Sequence, residues 1–319
     1  MKHTTSHPAK QKARIPTLFS VHIADELRRY DAHLRDVRGL ATSTRKGRLR
    51  VVGLLLQWKF NRRAIEIGKL HPDDIRQFLA AQPSGKQSAS YSSHLAATLR
   101  SYLRYRATCG DQIGKLTAVI LNPVHWKLAS LPRALTSEQV ERLLSSISTA
   151  RRWPKRGYAI VRCALDMGLR AGEIAHLMIS DIDWRAGIVT LRGTKSLRQD
   201  VLPLPIETGQ ALADYLQHER PATNHPAIFV RQMVGQEHSI TSGAIQKMIK
   251  RALRRIGLSH SSAHALRHTV ACRLVENGSS LKEVADLLRH RSLNTTLIYA
   301  KLDTPKLAAV ALPWPGSTS

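Results

Sequence analysis

The sequence predicts a mainly α protein with a small antiparallel β-sheet, organised as two domains. Three observations carry that reading. The chain has 319 residues, 43% of them hydrophobic, which is more than a single core usually accommodates. Apolar residues recur at helical spacing through most of its length. One stretch, Ile188 to Leu204, instead holds two β-prone runs around a polar segment containing Gly193, the pattern of a hairpin with a long loop.

The elements follow in order. Residues 1–16 are basic and polar, without the apolar core of a secretory signal, and read as a flexible arm. Residues 17–121 form a helical domain. There Leu49, Val52, Leu56 and Phe60 share one helical face, and Tyr91, Leu95, Leu99, Tyr102 and Leu103 share another. Residues 122–133, punctuated by Pro123 and Pro132, are a linker. The second domain spans 134–304. It opens on Thr136 as N-cap with Gln139 three residues on, a capping box, followed by Val140, Leu143, Leu144 and Ile147 on one stripe. Strands are expected at Ile188–Leu191 and Asp200–Leu204, with Ala227–Val230 as a third. Helices are expected at Ser242–Ile256, at His264–Asn277 closed by Gly278, and at Leu281–Leu288. Residues 305–319 form a tail whose apolar piece, Leu307–Leu312, is expected to dock on a neighbouring protomer.

The net charge is +26, which points to a polyanionic partner, nucleic acid before any other. Arg45, Lys46, Arg48 and Arg50 cluster in the first domain, and Arg100, Arg104 and Arg106 decorate its later helix. The first four, with Arg100 and Arg104, are expected to contact phosphates. Three cysteines, Cys109, Cys163 and Cys272, are far apart with no CxxC. The spacing suggests neither a disulfide framework nor a cysteine zinc site, and buried reduced thiols are expected. No apolar run approaches a membrane span, so the expected location is the cytoplasm.

The chemistry-bearing residues are dispersed but ordered. Gly168-Leu169-Arg170 is followed by Glu173. Lys195 lies in the hairpin loop. His264 and Arg267 stand in His264-Ala265-Leu266-Arg267-His268, and Tyr299 comes nine positions after His290. This ordered set resembles the tyrosine recombinase (phage integrase) family: an Arg in a G-L-R-x-x-E segment, a hairpin Lys, an H-x-x-R motif, a further His, and a Tyr nucleophile. The resemblance implies a two-domain clamp on DNA, a helical core-binding domain plus an α+β catalytic domain. It further implies a site-specific recombinase that is a monomer in solution and a homotetramer on paired double-stranded DNA sites. No metal and no other cofactor is implied. The sequence departs at Leu288-Arg289-His290, where the family usually has Leu-Gly-His; Arg289 either alters the turn there or adds a phosphate contact.

The roles are chemically coherent. Two guanidiniums, Arg170 and Arg267, can clamp the oxygens of a phosphodiester under attack. Tyr299, with an ordinary pKa near ~10, needs a proton acceptor, for which His264 is the candidate. Lys195 suits the acid that protonates the leaving 5′-hydroxyl. His290 would orient the phosphate, and Glu173 would hold an active-site Arg or His from behind. His268 lies outside the set and is expected to be structural or to support a site residue from behind. The alternatives are a transposon-encoded recombinase of the same chemistry, a type IB topoisomerase-like enzyme, a catalytically silent DNA-binding protein, and a metal enzyme built on His264 and His268; HALRH lacks the glutamate of a zinc HExxH.

Overall fold

A computed structural model of the chain describes residues 19–81, 89–121, 133–192, 200–231, 238–290 and 293–302. The arm 1–16, most of the linker, Lys195 and the tail with Leu307–Leu312 lie outside the described residues. The chain divides into two compact units, residues 1–126 and 127–319.

The first unit is helical: α1 (Val21–Ala32), continued by a π-helical turn at His33–Val37, then α2 (Thr42–Phe60), α3 (Pro72–Ala80), α4 (Ala89–Thr108) and α5 (Gly114–Ala118). Both predicted faces lie in the core: Val52, Leu56 and Phe60 from α2, and Leu95, Leu99, Tyr102 and Leu103 from α4, are buried, while Leu49 and Tyr91 are partly so. Tyr30 meets Tyr102 edge-on at 5.3 Å between ring centres, a favoured aromatic geometry. Within this core Glu26 is 1% exposed. Both its oxygens accept from Arg106 Nη1 at 3.0 Å, and Oε1 also accepts from the Tyr102 hydroxyl at 2.9 Å.

The second unit begins with α6 (Ser137–Ser148), α7 (Pro154–Asp166) and α8 (Ala171–Ala175). The predicted capping box is formed: Gln139 N–H donates to Thr136 Oγ1 at 3.2 Å and Thr136 N–H to Gln139 Oε1 at 3.1 Å. An antiparallel sheet follows in the order β1 (Ile182–Asp183), β2 (Ile188–Leu191), β3 (Asp200–Pro203), with Val189 opposite both Ile182 and Leu202. These three and Leu191 are buried, as the two-residue period of a one-sided sheet requires. The third strand is therefore Ile182–Asp183, not Ala227–Val230. That apolar run makes isolated bridges instead, Met178 with Ala227 and Val230 with Ser239, and buries Ile228 and Phe229 in the core.

Helices α9 (Ile206–His218), α10 (Ser242–Arg255), α11 (Ala263–Glu276) and α12 (Leu281–Leu287) complete the unit, with 3₁₀ turns at Leu293–Thr295 and Leu297–Leu302. Helix α11 is buried around most of its circumference, through Leu266, Arg267, Thr269, Val270, Ala271, Cys272 and Val275, which marks it as the central helix. Thr269 satisfies its hydroxyl within this interior by accepting from Leu135 N–H and donating to the Ala265 carbonyl. Gly278, at φ +86, ends the helix as predicted. Cys163 and Cys272 are buried, but Cys109 is exposed, contrary to expectation; it falls in the turn that leaves α4, beyond the last core residue of that helix. Among the described residues no helix is long and apolar enough to cross a membrane.

Replacing Glu26 by Ala leaves Arg106 and Tyr102 without their shared partner, and breaking such a buried pair costs about 3 kcal/mol or more. The expected readout is a lower urea midpoint for the helical unit with an almost unchanged slope.

Candidate active site

The site is built where α11, the N-terminus of α8 and the C-terminus of α12 meet. Gly168 turns the chain out of α7 at φ +60, and a Cβ there would stand 2.7 Å from Leu288 Cδ2. Only glycine satisfies both the left-handed backbone and that close approach. The turn delivers Arg170 to the start of α8 in an extended conformation. Glu173 faces back and accepts the Arg170 N–H at 2.7 Å and Arg170 Nη1 at 2.6 Å. Arg170 Nη2 reaches across to the carbonyls of Leu288 at 3.4 Å and Arg289 at 3.2 Å.

Arg267 projects from α11 and is 6% exposed. It donates to the carbonyls of Gly168 and Leu288, so the Gly168 and Leu288 turns are pinned by one guanidinium. Burial first, and then repulsion from Arg170 and Arg289, push its pKa down to about 9, still cationic at neutral pH.

The segment Leu288–His290 is a Schellman ending to α12. Arg289 N–H donates to the Asp286 carbonyl and His290 N–H to the Ala285 carbonyl, and Arg289 stands at φ +52. The turn expected of a glycine is therefore kept despite the side chain, at a backbone cost of about 1 kcal/mol. The Arg289 side chain, 4% exposed, folds inward and donates to Glu173 Oε2 at 2.8 Å and to the Leu287 carbonyl at 2.7 Å. Burial acts to raise the Glu173 carboxyl; Arg289, and then Arg170, outweigh it and hold the pKa below the ordinary glutamate value.

His290 follows, its Nδ1 sharing a 2.6 Å hydrogen bond with Thr296 Oγ1. Burial, together with Arg267, Arg170 and Arg289, drives its pKa down to about 4, so the ring is neutral. Thr296, 1% exposed, also accepts the Tyr299 N–H at 2.9 Å and so couples His290 to the tyrosine turn.

Tyr299 is 2% exposed and packs with Val270, Cys272, Val275, Val284 and Leu288. Burial, seconded by Cys272, pushes its pKa up to about 12. The phenol O–H meets His268 Nδ1 at 2.7 Å. Burial, and then His264 and Arg267, lower the His268 pKa, so a protonated phenol shares this hydrogen bond with a neutral imidazole. The histidine that meets the phenol is His268, expected to be structural or to support the site from behind; the side chain of His264, the candidate proton acceptor, is exposed one turn earlier. No signal in the sequence separates the two, since 264, 268 and 272 lie on one stripe of α11. Among the described residues no three His, Cys, Asp or Glu side chains cluster as metal ligands.

The structure thus brings Arg170, Glu173, Arg267, His290 and Tyr299 together and adds His268, Arg289 and Thr296. Of the six side chains expected to contact phosphates, Lys46, Arg50 and Arg104 are exposed. The other three have internal partners: Arg45 pairs with Asp31 at 3.1 Å, Arg48 donates to Ser101 at 2.6 Å, and Arg100 donates to the Ile120 carbonyl at 2.5 Å. Arg106, committed to Glu26 and Asp111, belongs to the core.

The sequence model of the phage integrase family matches residues 133–305. The chain belongs to that family. As a tyrosine recombinase it has relatives such as y4rA of Sinorhizobium fredii, named as an integrase/recombinase, which is 33% identical over 296 residues, 92% of this chain and 72% of that protein. Tyrosine recombinase XerD of Listeria innocua is 28% identical over 279 residues, covering 86% of this chain and 92% of the relative. Among solved structures, a lambda integrase tetramer bound to a Holliday junction shares the fold, at TM-score 0.64 and 19% identity over 87% of this chain and 77% of that one. The protein is a site-specific DNA recombinase of this family.

Two partly buried, neutral histidines give this recombinase a defined acid sensitivity. His290 and His268 have folded pKa values below the ordinary 6.5, so below that pH the unfolded chain binds more protons. Their stabilising contribution is complete above about pH 6.5 and is lost progressively as pH falls toward about 4. Urea midpoints measured across that range should decline, and His290→Gln should decline less steeply.

Proposed function

We propose that the protein cuts and rejoins duplex DNA by transesterification on Tyr299, through a 3′-phosphotyrosine link and a free 5′-hydroxyl, without metal or nucleotide. The observation that carries the proposal is the convergence of one phenol, Tyr299, and two guanidiniums, Arg170 and Arg267, on the Leu288–His290 turn of a tyrosine recombinase. A guanidinium has five N–H donors, so each arginine keeps hydrogens for a phosphate beyond those it spends on the protein.

In this reading Arg170 and Arg267 neutralise charge building on the non-bridging oxygens, and neutral His290 adds a donor. The phenol attacks phosphorus, its proton passing to His264, and the 5′-oxygen leaves with a proton from Lys195. A 5′-hydroxyl then attacks the phosphotyrosine and restores the phosphodiester, so bond energy is conserved. His268 holds the phenol before DNA is engaged. Residues 134–304 are the catalytic domain. Residues 17–121 grip the duplex, with Lys46, Arg50 and Arg104 on phosphates, aided by Arg45, Arg48 and Arg100 and by the basic arm 1–16; residues 122–133 link the two. The protein is a cytoplasmic monomer that assembles as a homotetramer on paired sites, a reading supported by the tetrameric assembly of lambda integrase on a Holliday junction.

Nicked trap duplexes made from DNA flanking the gene, incubated with chelator and denatured in SDS, should give a protein–DNA adduct. Tyr299→Phe should abolish it, and its persistence would remove Tyr299 from the role. Loss of the wild-type adduct in chelator would overturn metal-free chemistry. Arg267→Ala should slow cleavage by ~100-fold or more, and His264→Ala by about 100-fold, with His268→Ala the milder of the two histidine variants.

A further inference from the structure

Arg289 is the feature by which this active site differs from the family pattern quoted above, and its geometry is specific. It is an arginine in a left-handed backbone position, φ +52, with its side chain 4% exposed. Two of its nitrogens are committed, Nη2 to Glu173 Oε2 and Nη1 to the Leu287 carbonyl, and Nε is buried with no hydrogen-bond partner. Both committed donors go to the protein, one of them to the carboxylate that also holds Arg170, so the geometry gives this side chain a task inside the site.

The same residue touches Arg170 by two routes. Its guanidinium holds the Glu173 oxygen that also accepts the Arg170 N–H, and its carbonyl accepts from Arg170 Nη2 at 3.2 Å. Only the first route depends on the side chain. Arg170 keeps part of its side chain exposed, 30%, so it is the member of the trio that can meet substrate, and Glu173 is the group that aims it. A carboxylate fixed on both sides by guanidiniums has one orientation; with one guanidinium gone it can rotate, and the aim of Arg170 loosens with it. Arg289 also adds positive charge beside Arg267 and His290, which favours a bound phosphate without contact.

We propose that Arg289 is a positioning residue for strand cleavage in this recombinase: through the shared Glu173 carboxylate it fixes Arg170 for the scissile phosphate. The inference rests on the tyrosine chemistry proposed above and adds a residue to it. Arg289 is active through its side chain, so the glycine usual at this position in the family removes the device while relieving the backbone. Arg289→Gly is therefore the informative substitution, because the fold accepts glycine at positive φ without strain.

The experiment compares wild type, Arg289→Gly and Arg289→Lys on one nicked trap duplex. It measures DNA affinity by mobility shift, cleavage rate by single-turnover adduct formation across pH, and folding by thermal melting. Arg289→Gly should melt as a folded protein and keep most of its DNA affinity, losing only what one buried charge adds, yet cleave about ten- to hundred-fold more slowly, the scale on which misplacing a catalytic group acts. Arg289→Lys, which keeps a cation within reach of Glu173, should recover part of that rate. The acid limb of the rate profile should move to higher pH in Arg289→Gly, because Glu173 has lost its largest opposing charge. Wild-type cleavage by Arg289→Gly with an unmoved acid limb overturns the proposal, as does a fall in rate matched by an equal fall in DNA affinity. If wild type itself forms no adduct on a duplex it binds, it is the tyrosine mechanism that fails.

Discussion

The site depends on keeping one carboxylate ionised inside the protein. Glu173 is nearly enclosed, and a buried carboxyl without partners would take up a proton. Two guanidiniums prevent that, and in doing so tie α8 to the end of α12, elements more than a hundred residues apart in the chain. Arg267 extends the same arrangement by bridging the Gly168 and Leu288 carbonyls. The cohesion of the site comes from these pairs. Three cations and one anion leave it net positive, the sign that the proposed phosphodiester substrate needs.

The tyrosine is held in the opposite kind of environment. Its ring lies in an apolar cluster, and its hydroxyl is protonated and hydrogen-bonded to an imidazole. A phenol in that setting is a weak nucleophile. In the proposed mechanism reactivity comes from a bound phosphate and the guanidiniums around it, so the chemistry and the storage of the nucleophile fall to different neighbours. Thr296 connects the two, with its side chain on His290 and its carbonyl on the tyrosine backbone.

Much of this was legible in sequence where the signal is local. The Thr136 capping box, the strand at Ile188–Leu191 and the glycine ending of α11 all follow from chemistry within a few residues. The strand at Ile182–Asp183 was not legible because two residues carry no period, whereas Ala227–Val230 looks like a strand only because the core demands apolar residues there. The HALRH segment shows that two histidines share a helix. It does not show which one meets Tyr299, since that depends on packing across 31 positions. Arg289 was visible as a departure, but a single sequence does not say whether the guanidinium faces solvent or a carboxylate 116 residues earlier. The clusters at 45–50 and 100–106 divide for the same reason: only packing shows that Arg106 belongs to Glu26.

Gly168 and Leu288 illustrate what such a junction means for inheritance. A side chain at 168 would sit in a left-handed backbone and press its Cβ on the Leu288 side chain, which would have to shift, beside the carbonyl that Arg267 uses. A change at either position is therefore felt at the other. The two positions constrain each other, and variation in descendants of this gene should accumulate around them rather than at either one.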